Sequence, residues 1–197
     1  MAESGATVRD EDWDGETLDH RTFERVTFVD VDMTELVNDG STFEECVFRN
    51  VKFNASTHTD AAFLNCVFST CSFFDVTFTS CKLVGSRFER CSFKLVKVRD
   101  GDWSFVGMAR AELDGANFAD VRMRECDLSD AVVTGAAIRD CDLSGATLDA
   151  ADFSRSDLRG SDVSALDPQR ARIVGAIVTY EQAVVIAGAL GLDVRAE

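Results

Sequence analysis

The chain has one proline, one tyrosine and two histidines among its 197 residues. A single proline leaves no material for proline-rich linkers, so the sequence reads as one continuous folded unit. Two histidines, His20 and His58, with no H-E-x-x-H, no G-x-S-x-G and no phosphate-binding loop, give little from which to build a catalytic centre. The expectation is a protein that is not an enzyme and carries no cofactor. No apolar run approaches the length of a membrane span, and residues 1–12 are polar and acidic rather than signal-like, which points to the cytoplasm. Basic charge is scarce as well, with 20 Lys and Arg against 35 Asp and Glu for a net charge of −15. A field of that sign disfavours nucleic acid and membrane surfaces as partners and favours basic ones.

The acidity is uneven. Residues 1–45 carry fourteen acids and three bases, a net of −11, and residues 100–167 carry fifteen acids and six bases, a net of −9. Between them, residues 46–99 hold three acids and eight bases, a net of +5. Lys82, Arg87, Arg90, Lys94, Lys97 and Arg99 make up most of this basic belt.

What the sequence has in abundance is a period. From Trp13 to Val163 every fifth residue is large and apolar, as in Phe43, Phe48, Phe53, Phe63, Phe68, Phe73 and Phe78, and only Asn38 and His58 depart from the grid. Five-residue spacing rotates an α-helix by about 140° per step, so no apolar stripe would form. On a straight strand it would send successive grid residues to opposite faces. The position two before the grid is mostly small and apolar or hydroxylic, and all seven cysteines occupy it: Cys46, Cys66, Cys71, Cys81, Cys91, Cys126 and Cys141. Two inward residues separated by two are extended backbone. A turn must follow in each pentad for the next pair also to face inward. Cysteine at such a site is a small core residue, and spacings of five and ten fit neither a zinc site nor a disulfide framework.

Segments such as AELDG-ANFAD and CDLSG-ATLDA-ADFSR-SDLRG-SDVSA resemble the A(D/N)Lxx consensus of the pentapeptide-repeat proteins over about 13–178. The resemblance implies an all-β solenoid, a right-handed quadrilateral β-helix with four pentads per coil. About eight coils would make a rod on the order of 38 Å long. At twenty residues per coil, Phe23, Phe43, Phe63 and Leu83 form one internal column, and Asn38 lies directly against His58 as a buried hydrogen-bonded pair. Pro168 sits on the grid near its end. Beyond it, Thr179 to Gln182 reads as a capping box opening a short C-terminal helix that Gly191 stops, so that 179–197 forms a capping and dimerisation unit behind an acidic tail at 1–12 and the repeat at 13–178.

The C-terminal segment ARIVGAIVTYEQAVVIAGALGL further resembles that of the MfpA type within this family and, more loosely, the Qnr type. The unbroken register is the loopless MfpA pattern. This likeness implies a homodimer through Tyr180, Ala183, Val184, Ile186, Ala187, Leu190 and Leu192. It also implies binding to DNA gyrase as a mimic of duplex DNA, modulation of supercoiling, and protection against fluoroquinolones or other gyrase poisons. The candidate gyrase-facing stripe is Asp100, Asp120 and Asp140, stacked twenty apart, with Asp102, Asp142 and Asp162 on the adjoining wall, interrupted by Arg122. A candidate contact patch is Leu64, Phe74, Val84, Leu95 and Phe105, apolar residues in outward register. The alternative function is a scaffold with a partner other than gyrase.

Overall fold

A computed structural model describes residues 2–195. The chain winds as a parallel β-solenoid in which each residue pairs with the one twenty places on, from Ala2↔Thr22 to Asp157↔Ile177. Four pentads per turn give four faces. With strands numbered along the chain, the first face holds β1 (Ala2–Ser4), β4 (Thr22–Glu24), β7 (Thr42–Glu44) and β10 (Ala62–Leu64). The second holds β2 (Thr7–Arg9), β5 (Thr27–Val29), β8 (Val47–Arg49), β11 (Val67–Ser69) and β13 (Arg87–Glu89). The third is joined only by isolated bridges such as Asp12↔Asp32 and Ser72↔Ser92. The fourth holds β3 (Thr17–Asp19), β6 (Val37–Asp39), β9 (Thr57–Thr59), β15 (Asn117–Ala119) and β16 (Ala137–Arg139). Two longer strands, β12 (Thr77–Lys82) and β14 (Lys97–Asp102), run from the fourth face round the corner onto the first.

The residue just before each grid position decides how the wall is built. Thr7, Thr17, Thr22, Thr27, Thr42, Thr57 and Thr77 each open a strand, as a β-branched residue on a pleated surface should. Where aspartate stands there, as at Asp127, Asp142 and Asp152, its carboxylate accepts the backbone N–H two residues on, and the grid carbonyl closes a turn onto the N–H three residues ahead. The fifth residue of almost every pentad has positive φ, which brings the next inward pair back to the core.

In the strand-type pentads the grid carbonyl closes no such turn. There the cysteine or serine of the next coil donates to it: Cys46 Sγ to Phe23 O, Cys66 Sγ to Phe43 O, Cys81 Sγ to His58 O, and Ser86 Oγ to Phe63 O at 2.8 Å. The small core residue expected from the sequence therefore also satisfies a buried acceptor. Burial pushes the thiols of Cys81 and Cys141 up to about 11 and that of Cys126 up to about 12, so they stay protonated at neutral pH.

The core is a stack of rings. Phe23, Phe43 and Phe63 lie parallel with centroids 4.7 Å apart, and Phe28, Phe48, Phe68 and Phe88 repeat this at 4.8, 4.7 and 4.6 Å. Rings of neighbouring columns meet edge to face, as Phe43 meets Phe48 at 5.6 Å. Asn38 and His58 are paired as expected, with the Asn38 amide donating to His58 Nδ1 at 3.1 Å and His58 Nε2 3.0 Å from Ser56 Oγ.

The first twelve residues differ from the expected tail. They carry β1 and β2 and belong to the first coil, whose grid residues Val8 and Leu18 are buried. One valine at Val8 maintains the inward register where no large aromatic marks it, and Asp10, Glu11 and Asp12 are exposed. At the other end, Pro168 is only half-buried and lies in a local turn, Arg170 N–H bonding to Asp167 O. Helix α1 (Tyr180–Ala189) follows, with Thr179 and Gln182 forming the expected capping box. Gly191, at φ +82°, ends it in a Schellman arrangement, Leu192 N–H to Ala187 O and Gly191 N–H to Gly188 O.

Gln182 does more than cap. Its Nε2 donates to Leu158 O at 2.6 Å and to Ser161 O at 2.7 Å, while its Oε1 accepts from Thr179 N–H at 2.7 Å. The buried amide thereby ties the helix to the last full coil. Gln182→Ala is expected to destabilise the protein by about 2–4 kcal/mol, because Ser161 O and the Thr179 N–H lose their partner and Leu158 O is left with only the Ser161 N–H. Urea unfolding followed by circular dichroism checks this, with Glu181→Ala on the exposed side as the near-neutral comparison.

Candidate functional site

The corner between the fourth and first faces gathers the carboxylates singled out in the sequence. Asp100, Asp120 and Asp140 are the last residues of their coils, all exposed, at φ of 58°, 60° and 54°. Aspartate tolerates this left-handed conformation better than most residues. Asp100 Oδ2 accepts from Ser80 Oγ at 3.0 Å and its Oδ1 from Gly101 N–H at 2.6 Å. Among the described residues no ion pair reaches any of the three.

The adjoining column has a different role. Asp102 accepts from Ser104 N–H and Oγ at 3.0 and 2.6 Å, and Asp142 does the same with Ser144 at 3.1 and 2.6 Å. Asp162 accepts from Ser164 N–H at 2.8 Å. These are the turn-closing aspartates of the repeat. Arg122 bonds Asp102 at 2.9 Å and Arg124 bonds Asp142 at 2.5 Å. Burial raises the Asp102 pKa, but the Ser104 hydroxyl and N–H and the Arg122 guanidinium outweigh it and hold the carboxyl below its usual range. Asp142 is lowered first by the Ser144 hydroxyl and then, against burial, by Arg124. The expected six-residue stripe therefore divides into one column of unpaired carboxylates and one that closes turns, two members of which are neutralised by arginine.

The basic belt is a ring. Lys82 lies on the first face, Arg87 and Arg90 on the second, Lys94 on the third, and Lys97 and Arg99 on the fourth, so the belt crosses the acidic corner at Arg99–Asp100. Lys97 is paired with Asp75 at 2.7 Å. The apolar contact patch is also redistributed. Leu64 and Val84 stack on the first face with Phe105 beside them, whereas Phe74 and Leu95 lie on the third face, across the core. Phe105 is 55% exposed. Residues share a wall when they fall in the same pentad of the twenty-residue coil, and these two groups lie two pentads apart.

At the C-terminal end, Ala183, Ile186, Ala187 and Leu190 line an apolar groove with Leu158 and Val178 from the last coils. Val174, Ile177, Tyr180 and Leu192 of the same C-terminal segment are exposed, Tyr180 by 79%. Val184 is half-buried.

Models of known families agree with this architecture. The pentapeptide repeat region matches residues 41–118, and the model of eight pentapeptide repeats matches 108–130 and 126–164. The chain belongs to the pentapeptide-repeat family. Among solved structures it is similar to full-length QnrB1, a plasmid-mediated fluoroquinolone resistance protein, at 18% identity and a TM-score of 0.59, covering 98% of this chain and 100% of that one. A trypsin-treated variant of QnrB1 gives 20% identity and a TM-score of 0.61, covering 98% and 99%. At these identities the likeness establishes the shared β-helix. No curated protein sequence matches the chain.

Proposed function

We propose that this protein is a non-catalytic binding protein that engages bacterial DNA gyrase through the Asp100–Asp120–Asp140 corner, standing in for duplex DNA. The observation that carries the reading is a column of unpaired, exposed carboxylates on a straight parallel solenoid, together with the likeness of the C-terminal segment to the MfpA type. Strands stack about 4.8 Å apart, so the column repeats a charge at somewhat more than the ~3.4 Å spacing along one DNA strand. Binding would modulate supercoiling and protect gyrase from fluoroquinolones or related poisons. In this reading the protein works in the cytoplasm as a homodimer. The apolar groove lined by Ile186, Ala187 and Leu190, with Val174, Tyr180 and Leu192 exposed in the same C-terminal segment, supports a second copy as its occupant, since exposed apolar surface of this kind commonly marks an interface.

Supercoiling by purified gyrase, titrated with the protein, tests the gyrase reading. The Asp100→Lys, Asp120→Lys, Asp140→Lys triple variant is expected to weaken inhibition at least ~10-fold, and added salt to weaken it further. Glu112→Lys with Asp114→Lys, on the exposed third face, should have little effect. No inhibition by the unaltered protein, or equal loss in both variants, would sink the proposal. Leu190→Glu should convert a dimer to monomers in sedimentation velocity; a protein already monomeric would remove the dimer from the reading.

A second reading, a scaffold for another partner, is favoured by one observation. Arg122 and Arg124 neutralise the neighbouring aspartates, and the basic ring cuts the acidic corner at Arg99. Duplex DNA has no counterpart for either.

A further inference from the structure

The corner of the second and third faces opens where both aromatic columns end, at Phe88 and Phe93, to be followed by Met108 and Leu113. Phe73 and Phe93 are 5.4 Å apart, against 4.9 Å for Phe53 and Phe73 one coil earlier. Below them the outward residues shrink to Gly107 and Ala109, and the inward one to Ala111. The result is a notch of about 460 Å³ at the corner of the second and third faces, floored by Phe88, Phe93, Ala111 and Cys91. Cys91 is the only half-buried cysteine; the other six are buried.

Three arginines stand on the rim: Arg87, Arg90 and Arg110. The stem of Arg87 lies over Gly107, where a Cβ would come within 3.2 Å of its Cγ. Arg90 reaches only Ser69 Oγ at 3.5 Å, and Arg110 only Asp130 at a long 3.9 Å. Among the described residues, neither Arg87 nor Arg90 has an ion-pair partner. Glu89 and Asp127 also line the rim, so the notch keeps one excess positive charge. An apolar floor of two rings set edge to face, beneath unpaired guanidinium groups, selects a particular chemistry. Guanidinium forks bind carboxylates with two parallel bonds, and aromatic floors favour a planar body.

We propose that this notch is a binding site for a planar aromatic carboxylate, the ring lying on Phe88, Phe93 and Ala111 and the carboxylate held by Arg87 and Arg90. The site is remote from the acidic corner and does not depend on gyrase as the partner.

The probe is 2-naphthoate, followed by the methyl resonances of Ala109 and Ala111 and by the rate of Cys91 alkylation with iodoacetamide. Saturable methyl shifts and slower Cys91 alkylation are expected. Arg87→Gln with Arg90→Gln should weaken the affinity about tenfold or more, while Arg49→Gln, two coils away on the same face, should leave it unchanged. Neutral 2-naphthamide should bind at least tenfold more weakly, and acetate should not protect Cys91. Shifts that never saturate, equal binding of the amide, or an unaffected double variant would each overturn the proposal.

Discussion

Gly101→Ala is expected to cost about 3–5 kcal/mol, far more than alanine at any other left-handed glycine with open space around it. Gly101 has φ +103°, and a Cβ there would stand 2.1 Å from Cys81 O and 2.8 Å from Cys81 N. Those neighbours are backbone atoms of the paired strand, Cys81↔Gly101, and cannot swing aside. The same position in other coils holds Ser41, Ala61, Val121 or Cys141, so the close approach is peculiar to the corner where β12 and β14 run through without a break. Gly115→Ala, at φ +68° with nothing within 4 Å, is the comparison and should cost about 1 kcal/mol. Denaturant unfolding of the two variants decides the matter, and equal losses would mean that the two coils do not approach so closely. Gly101 lies between Asp100 and Asp102, so it sets the corner on which the proposed gyrase contact depends.

The second large effect is acid sensitivity centred on His58. Burial lowers its pKa to about 3, against 6.5 in an unfolded chain. The unfolded state therefore takes up a proton as the pH falls below 6.5, while the folded state stays neutral. Stability contributed by the neutral imidazole is complete above pH 6.5 and declines down to about pH 3, by on the order of 4 kcal/mol. Carboxylates with lowered pKa values, Asp32 and Asp142 among them, add their own acid loss, so the contribution of His58 must be separated by substitution. The Asn38→Leu, Ser56→Ala, His58→Phe triple variant continues the column that Leu18 and Phe78 share with these residues, and removes both the orphaned Asn38 Oδ1 and the Ser56 hydroxyl that His58 pairs. It should be more stable at pH 7 by about 1–3 kcal/mol and should lose less stability between pH 6.5 and 3. Parallel pH profiles for the two proteins would refute the role assigned to His58.

The grid made the solenoid legible because a fifth-residue period has few other solutions. Given the twenty-residue coil that the family resemblance implies, the inward columns and the Asn38–His58 contact followed from residue numbers, and the capping box from Thr179 and Gln182 three residues apart. The walls were less legible. Asp100 and Asp102 look alike in sequence, but one stands at a left-handed corner facing solvent, and the other precedes a grid residue, where its carboxylate closes a turn on Ser104. The signal was present in the D-x-S spacing. The basic belt is contiguous in sequence, and its eighteen residues from Lys82 to Arg99 encompass nearly one full turn of the coil, so its members stand on all four walls. Phe74 and Phe105 failed to meet for the same reason. The donor role of the cysteines could have been read from their place in the coil after a Thr-Phe strand. The second task of Gln182 could not, since nothing local to the helix announces Leu158 O and Ser161 O.

The uninterrupted register also makes the wall on which a residue stands a matter of arithmetic. Deleting one pentad would leave the core spacing intact yet turn everything downstream by a quarter revolution, carrying a carboxylate column from one wall to the next. Deleting four would shorten the rod and leave every wall where it was. Such a molecule can change the direction its surface faces without redesigning its interior, a freedom that a globular core does not have.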